Sequence, residues 1–277
     1  MQFKVIQFAI FFLGCQFLCA QEAKIKNPIL TDKFIISAGL YSPLNNVKLS
    51  ANGTASARES RQIDFDKHFN IADYQNTFSM NFTWRFAKNW NVSADFFRIK
   101  RENQVVFEDD IQWKNVTFKQ GTGVEGGFGF SLYRVFFGRV IARGNQYELG
   151  GGLGAHIITI FPFIEGQAYI NDNDFEFKRH EVSSTLPLPN IGIWFIYAPI
   201  QKLSLTTKLD WFGIKIDNFS GVLWDISPTI NYQAFRNLGI SAGYKFLDFG
   251  VEVDKNKWQG NIDLQFQGPT VSVFGNF

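Results

Sequence analysis

The sequence predicts an all-β chain closed as a transmembrane antiparallel β-barrel with meander topology. Three observations lead there. Residues 77–86, TFSMNFTWRF, place Phe78, Met80, Phe82, Trp84 and Phe86 on one side of a two-residue period and Thr77, Ser79, Asn81, Thr83 and Arg85 on the other, the pattern of a strand between two solvents. Aromatic residues make up 17% of the 277-residue chain, 32 of them Phe, although mean hydropathy is close to neutral; burying that many rings needs a core larger than so polar a chain provides. No run beyond residue 20 approaches the ~20 apolar residues of a membrane helix, so the crossing segments must be strands, whose alternation hides an apolar face behind a polar one.

Residues 1–20 read as a secretory signal peptide: Lys4, an apolar stretch over 5–18 and a small residue, Ala20. Cleavage leaves residues 21–277 as one barrel domain. Cys15 and Cys19 leave with the signal, so no disulfide is expected. A net charge of +2 gives no basic excess for nucleic acid.

The first strand is expected at 33–41. Between it and the strand at 76–87, residues 42–75 hold either one long excursion or a further pair, NVKLSA and ARESRQIDF, joined at Asn52 and Gly53. The alternation of Val47, Leu49 and Ala51 favours the pair, hence twelve strands, with ten as the alternative. Tight turns are expected at Lys88 and Asn89, at Gly144 and Asn145, at Pro199 and Ile200, and at Arg236 and Asn237. Longer connections fall at 67–75, 104–121, 164–189, 217–220 and 254–257. Short turns lie in the periplasm and long loops outside the cell in barrels of this class, which orients the chain. Strands follow at 221–234, 237–253 and 258–277. A bulge at Gly268 and Pro269 would turn Ile262, Leu264 and Phe266 outward, in step with Val271, Val273 and Phe277. Trp84, Trp90, Tyr147, Trp211, Trp224 and Tyr244 fit interfacial girdles.

These features resemble a Gram-negative outer-membrane β-barrel protein whose last strand ends in the aromatic insertion signal of that class, here Val271, Val273 and Phe277, with Gly275 where an apolar residue often stands. IDFDKHFNI (63–71), ELGGGLGAH (148–156), LPLPNIGIW (186–194) and FQGPTVSVFGNF (266–277) are similar to segments of a family of single-domain outer-membrane barrels. The resemblance implies location in the outer membrane, outer-membrane lipid as surroundings and the outer-membrane assembly machinery as a partner in biogenesis. It carries no activity.

Carrying the alternation through each strand gives a lumen list of Arg85, Asp95, Glu125, Arg139, Glu148, His156, Lys208, Asp210, Asp225, Lys245 and Asp263. Paired charges that hold strands in register are the plain reading; a charged constriction selecting solutes is the functional one. Catalysis has thin support. Of His68, His156 and His180 only His156 falls in a strand, facing the lumen, while Asp109, Asp110, His180 and Glu181 are the sole material for a protease-like site at the rim. Asp172, Asp174 and Glu176 alternate in a loop lacking the glycine and terminal glutamate of a calcium loop. The glycines of 121–129 and 150–154 precede no helix, so close strand approach explains them better than a phosphate cradle. No cofactor or metal is expected. The expectation is a small passive channel or structural barrel with a charged lumen, with a surface-binding barrel acting through residues 164–189 next and a lipid-modifying or proteolytic enzyme third.

Overall fold

The computed structural model describes residues 26–53, 63–64, 76–106, 111–113, 116–118, 123–170, 174–181, 184–216, 219–255 and 258–277. The expected signal peptide lies outside them. A 3-10 turn, Pro28–Leu30, precedes β1 (Phe34–Tyr41), β2 (Leu44–Gly53), β3 (Ile63–Asp64), β4 (Thr77–Ala87), β5 (Trp90–Val106), β6 (Ile111–Trp113), β7 (Val116–Phe118) and β8 (Gly123–Arg143). There follow β9 (Tyr147–Ile170), β10 (Asp174–Glu181), β11 (Ser184–Ile200), β12 (Leu203–Ile216), β13 (Phe219–Gln233), β14 (Leu238–Lys255) and β15 (Trp258–Asn276). Ten strands form the wall, in the order β1-β4-β5-β8-β9-β11-β12-β13-β14-β15, and β15 pairs back onto β1 to close it. All pairings are antiparallel.

The count is therefore ten, not the favoured twelve. The alternation at Val47, Leu49 and Ala51 does belong to a strand, β2, but β2 continues the line of β1. Both lie along β15, with Tyr41 opposite Thr270 and Leu44 opposite Gln267, in one unbroken register. The expected extra pair is the upper half of the first stave, met by a short β3.

Turns at Lys88 and Asn89, at 144–146 and at 234–237 stand where the sequence places them; the third falls at Gln201 and Lys202, two residues beyond the expected position. At the opposite end, most of the expected loop 164–189 is sheet. β9 runs on to Ile170 and turns back as β10, with Phe163 opposite Glu181. Within 104–121, β6 and β7 pair as a small hairpin. β9 has 24 residues and β8 has 21, about twice the 9–11 that cross a bilayer, so the wall rises well above the membrane.

The polarity of the two faces inverts partway up each long strand. Along β14 the outward phase reads Leu238, Ile240, Ala242, Tyr244 and Phe246, then Asp248 and Glu252, while the inward phase reads Ser241 and Lys245, then Leu247, Phe249 and Val251. β5 does the same: Val92, Ala94 and Phe96 face out below Arg98 and Lys100, and Ser93 and Asp95 face in below Phe97 and Ile99. Below the inversion the outside is hydrocarbon; above it the outside is water, so apolar side chains move inward. This overturns the bulge expected at Gly268 and Pro269. β15 keeps one register against β14 from Leu238–Gly275 to Lys255–Trp258, and Leu264 and Phe266 point inward, at 1% and 0% exposure, while Val271, Val273 and Phe277 face out.

All six expected girdle residues stand exposed on the outer face. Phe34, Trp84, Phe86, Phe137 and Trp90 form a chain of ring contacts of 4.9–6.1 Å at the turn end, and Phe96 with Tyr133 and Trp211 with Trp224 mark the upper edge. Inside, the upper layer is packed with rings, Phe130 lying 4.6 Å from Phe266 and 5.7 Å from Phe97. A lower layer of Ile29, Leu30, Phe136, Val140, Trp194, Ile196, Ala198 and Phe274 closes the turn end, the first two carried on the N-terminal 3-10 turn.

Phe266→Ala should cost about 3–5 kcal/mol, as a buried ring does, and Phe82→Arg on the belt about 2–4 kcal/mol. Urea unfolding of the protein folded into vesicles measures both; a neutral Phe266→Ala would refute the inverted phase.

Candidate functional site

Between the two apolar layers lies the polar part of the interior. Arg134 on β8 is its hub. Its Nε and Nη2 both donate to Asp210 on β12, the latter at 2.9 Å, and its Nη1 donates to Asp95 Oδ2 at 2.8 Å and Ser93 Oγ at 3.1 Å on β5. Lys208 reaches the other oxygen of Asp95 at 3.0 Å. Lys245 on β14 holds both oxygens of Asp225, at 2.6 and 2.7 Å. His156 on β9 lies with Nε2 3.4 Å from Asp225 Oδ2 and 3.9 Å from Asp210 Oδ2, and Nδ1 3.2 Å from Asn190 Oδ1. Three carboxylates thus meet three cations, and the imidazole links the two halves. Each carboxylate is buried in a medium where an uncompensated charge is very costly, and each has the partners that make burial tolerable. The fork on Asp210 needs room: a Cβ on Gly192 would sit 2.0 Å from Asp210 Oδ1, so only glycine lets the carboxylate approach the wall.

A second cluster lies at the turn end. Glu148, fully buried, accepts from Arg143 at 2.7 and 3.0 Å, from Arg85 at 3.3 Å and from the indole of Trp194 at 3.0 Å. Arg85 also donates to the Asp32 carbonyl at 2.9 Å, and Asn276 donates to the Asp32 carboxylate at 2.6 Å. Asn27 donates to the carbonyls of Ile200 and Leu203. These bonds tie the N-terminal segment into the mouth of the barrel.

Against the ion network remains a cavity of about 190 Å³, whose wall combines those charges and hydroxyl and amide groups such as Thr206, Asn231 and Ser241 with a larger apolar share from side chains such as Phe97, Phe136 and Trp194. Among the described residues His156, Asp210 and Asp225 are the one group spaced to ligate a metal. Arg134 and Lys245 already occupy the two carboxylates, so the donor set does not suit a divalent ion.

Of the sequence-derived list, Arg85, Asp95, Glu148, His156, Lys208, Asp210, Asp225 and Lys245 point inward, in these two clusters. Three do not. Arg139 is exposed on the outer face, its guanidinium 5.4 Å from the Trp90 ring, where its long side chain reaches the interface. Glu125 shares the outward phase of Tyr133 and Val135, because β8 runs without a register shift from Gly123 to Arg139. Asp263 is exposed opposite Gly250, above the inversion; burial, and then its charge, raise the carboxyl pKa of Asp248 nearby. The list omitted Arg134, the hub of the first cluster. SLYRVFF carries apolar residues on both phases, so alternation gives no facing there, yet one charge in such a run is itself a signal. His68, Asp109 and Asp110 lie outside the described residues, as does Asp172; Asp174, Glu176, His180 and Glu181 belong to the backbone of β10.

A closed ten-strand wall with an apolar belt between aromatic girdles and a polar interior leaves one solvent for the belt. The fold is that of an outer-membrane β-barrel. The Escherichia coli outer-membrane protease OmpT superimposes with a TM-score of 0.54 over 93% of this chain and 100% of its own, at 10% identity. OprG from Pseudomonas aeruginosa gives 0.39 at 13% identity over 91% and 97%, and the P. putida toluene transporter TodX gives 0.34 at 10% over 91% and 93%. Likeness at this level is likeness of fold. No protein-family model matches the chain, and no curated protein matches it in sequence. The belt, with this fold, places the barrel in a Gram-negative outer membrane.

Arg134→Met should destabilise the barrel by about 3–5 kcal/mol, because Asp95 and Asp210 stay buried with one cation fewer. Arg139→Met on the outer face should cost no more than about 1 kcal/mol. Paired unfolding curves in vesicles test the contrast.

Proposed function

We propose that this protein is a structural barrel that does not conduct and that works through the extension it holds above the membrane. Of the two forms expected for it, passive channel and structural barrel, the interior favours the second. The observation that carries the reading is the ring-packed layer over the ion network: Phe128, Phe130, Phe249 and Phe266 are all fully buried across the lumen, and beneath them the charges are paired with one another. A filter needs groups free to exchange partners with a passing ion; a carboxylate held by an arginine fork is not such a group. The extension, which includes the hairpin of β9 and β10, is then the surface offered to a ligand. The reading involves no catalytic step. Val271, Val273 and Phe277, exposed together at the end of β15, are the signal read by the outer-membrane assembly machinery.

Single-channel recording of the refolded protein in a planar bilayer is the test. A silent, folded barrel is expected, and Lys208→Gln should leave it silent. Discrete openings whose ion selectivity changes in Lys208→Gln would restore the channel reading.

A further inference from the structure

The wall has a seam. β11 pairs with β12 from Ile200–Leu203 up to Ile191–Trp211, and above that point the pairing stops although both strands continue. β11 stays paired with β9 as far as Ser184 opposite Ile160, and β12 with β13 as far as Ile216 opposite Phe219. The sequence gives the cause. Ala198 N donates to Gln146 O on the β9 side, and successive residues of a strand bond to opposite neighbours, so the odd-numbered positions 187 and 189 turn their backbone groups toward β12. Both are proline, which has no N–H to give. The LPLP motif therefore prevents the ladder from closing where it would otherwise join Phe212–Ile216.

The side chains beside the seam differ from the rest of their layer. At this height Leu132, Ile158, Leu223, Leu247 and Phe249 are fully buried, whereas Leu186, Phe212 and Ile214, in the same inward phase, are only half-buried. The slot is apolar on both sides and begins at Ile191 and Trp211, the top of the lipid-facing belt, both exposed to the outside. Lys215, exposed on the outward phase of β12, stands at its upper end.

We propose that this seam is a lipid-binding site that takes an acyl chain of an outer-leaflet membrane lipid between Leu186 and Leu188 on one side and Phe212 and Ile214 on the other, with the anionic headgroup at Lys215. The position selects the occupant. The slot opens at its lower end onto the upper girdle, where the hydrocarbon of the leaflet ends, so an acyl chain entering it passes directly from the bilayer onto apolar walls, and Lys215 stands beside its upper end for the headgroup. A peptide added to the free edge of β12 would need donors and acceptors on both flanks, and Pro187 and Pro189 remove the donors from one.

The test uses the full chain folded into phosphatidylcholine vesicles containing phosphatidylglycerol with a diazirine midway along one acyl chain, irradiated and mapped by mass spectrometry. Labels are expected on belt residues such as Tyr133 and Ile230, and also on the inward residues Leu188, Phe212 and Ile214. Pro187→Thr with Pro189→Thr, which restores the donors, and Ile214→Trp, which fills the slot, should each abolish the inward labels while the belt labels, which report a folded barrel, persist. Lys215→Gln should reduce inward labelling by the phosphatidylglycerol probe to that given by a phosphatidylcholine probe. Belt labels without inward labels in the parent would overturn the proposal. So would inward labels unchanged in both slot variants, or inward labelling by a free diazirine fatty acid but not by the diacyl probe.

Discussion

The height at which hydrocarbon gives way to water governs the rest of this structure. Every long strand crosses that level, and the two-residue period of side chains is fixed by the pleat, so the strand cannot rotate its faces to suit the new solvent. What changes instead is the residue type carried on each phase. Below the level the outward phase is apolar and the inward phase carries Ser, Thr, Asn and charge above an apolar floor at the turn end; above it the inward phase carries Leu, Ile and Phe. The barrel is thus a membrane protein in its lower half and has the inside-out order of a soluble β-barrel in its upper half.

The interior follows from that division. Ten strands enclose more space than eight, whose side chains just fill the lumen, and the surplus is taken up in three ways: by the ring layer above, by the N-terminal turn with Ile29 and Leu30 below, and by a cavity of about 190 Å³ between them. The charges occupy the middle because only there do β5, β8, β9, β12, β13 and β14 all present polar inward positions at one level. Arg134 serves that layer well because its planar fork satisfies Asp210 with two donors and still has one for Asp95.

Much of this was legible in the sequence. Strict alternation over 77–86 and the turn dipeptides carry the class and most strand ends, and counting faces Arg85, Asp95, Glu148, Lys208, Asp210 and Asp225 correctly but not Arg139, on a strand apolar on both phases. Counting failed where the rule behind it changed. A bulge at Gly268 and Pro269 is needed to face Leu264 and Phe266 outward only if the alternation serves one solvent along the whole strand, and the same premise faces Asp263 inward. Val47, Leu49 and Ala51 mark a strand but not a separate stave, since a period of two says which residues share a face and nothing about which neighbour they pair with. Arg134 escaped because Leu132, Tyr133, Val135 and Phe136 around it are apolar on both phases, and its partners lie on strands far away in the chain.

The two ends of the wall meet. Phe34 and Phe277 exchange both backbone hydrogen bonds, each at 2.9 Å, and the ladder runs on from Ile35–Asn276 to Tyr41–Thr270, so β15 holds the first strand along its whole length from the turn-end rim upward. β1 meets only β4 and β15 in the wall, so the edge it presents stays open until β15 is laid against it. Until then the aromatic belt has no sealed cylinder to belong to, and closure of this wall is an all-or-nothing event that joins strands from the two extremes of the sheet order.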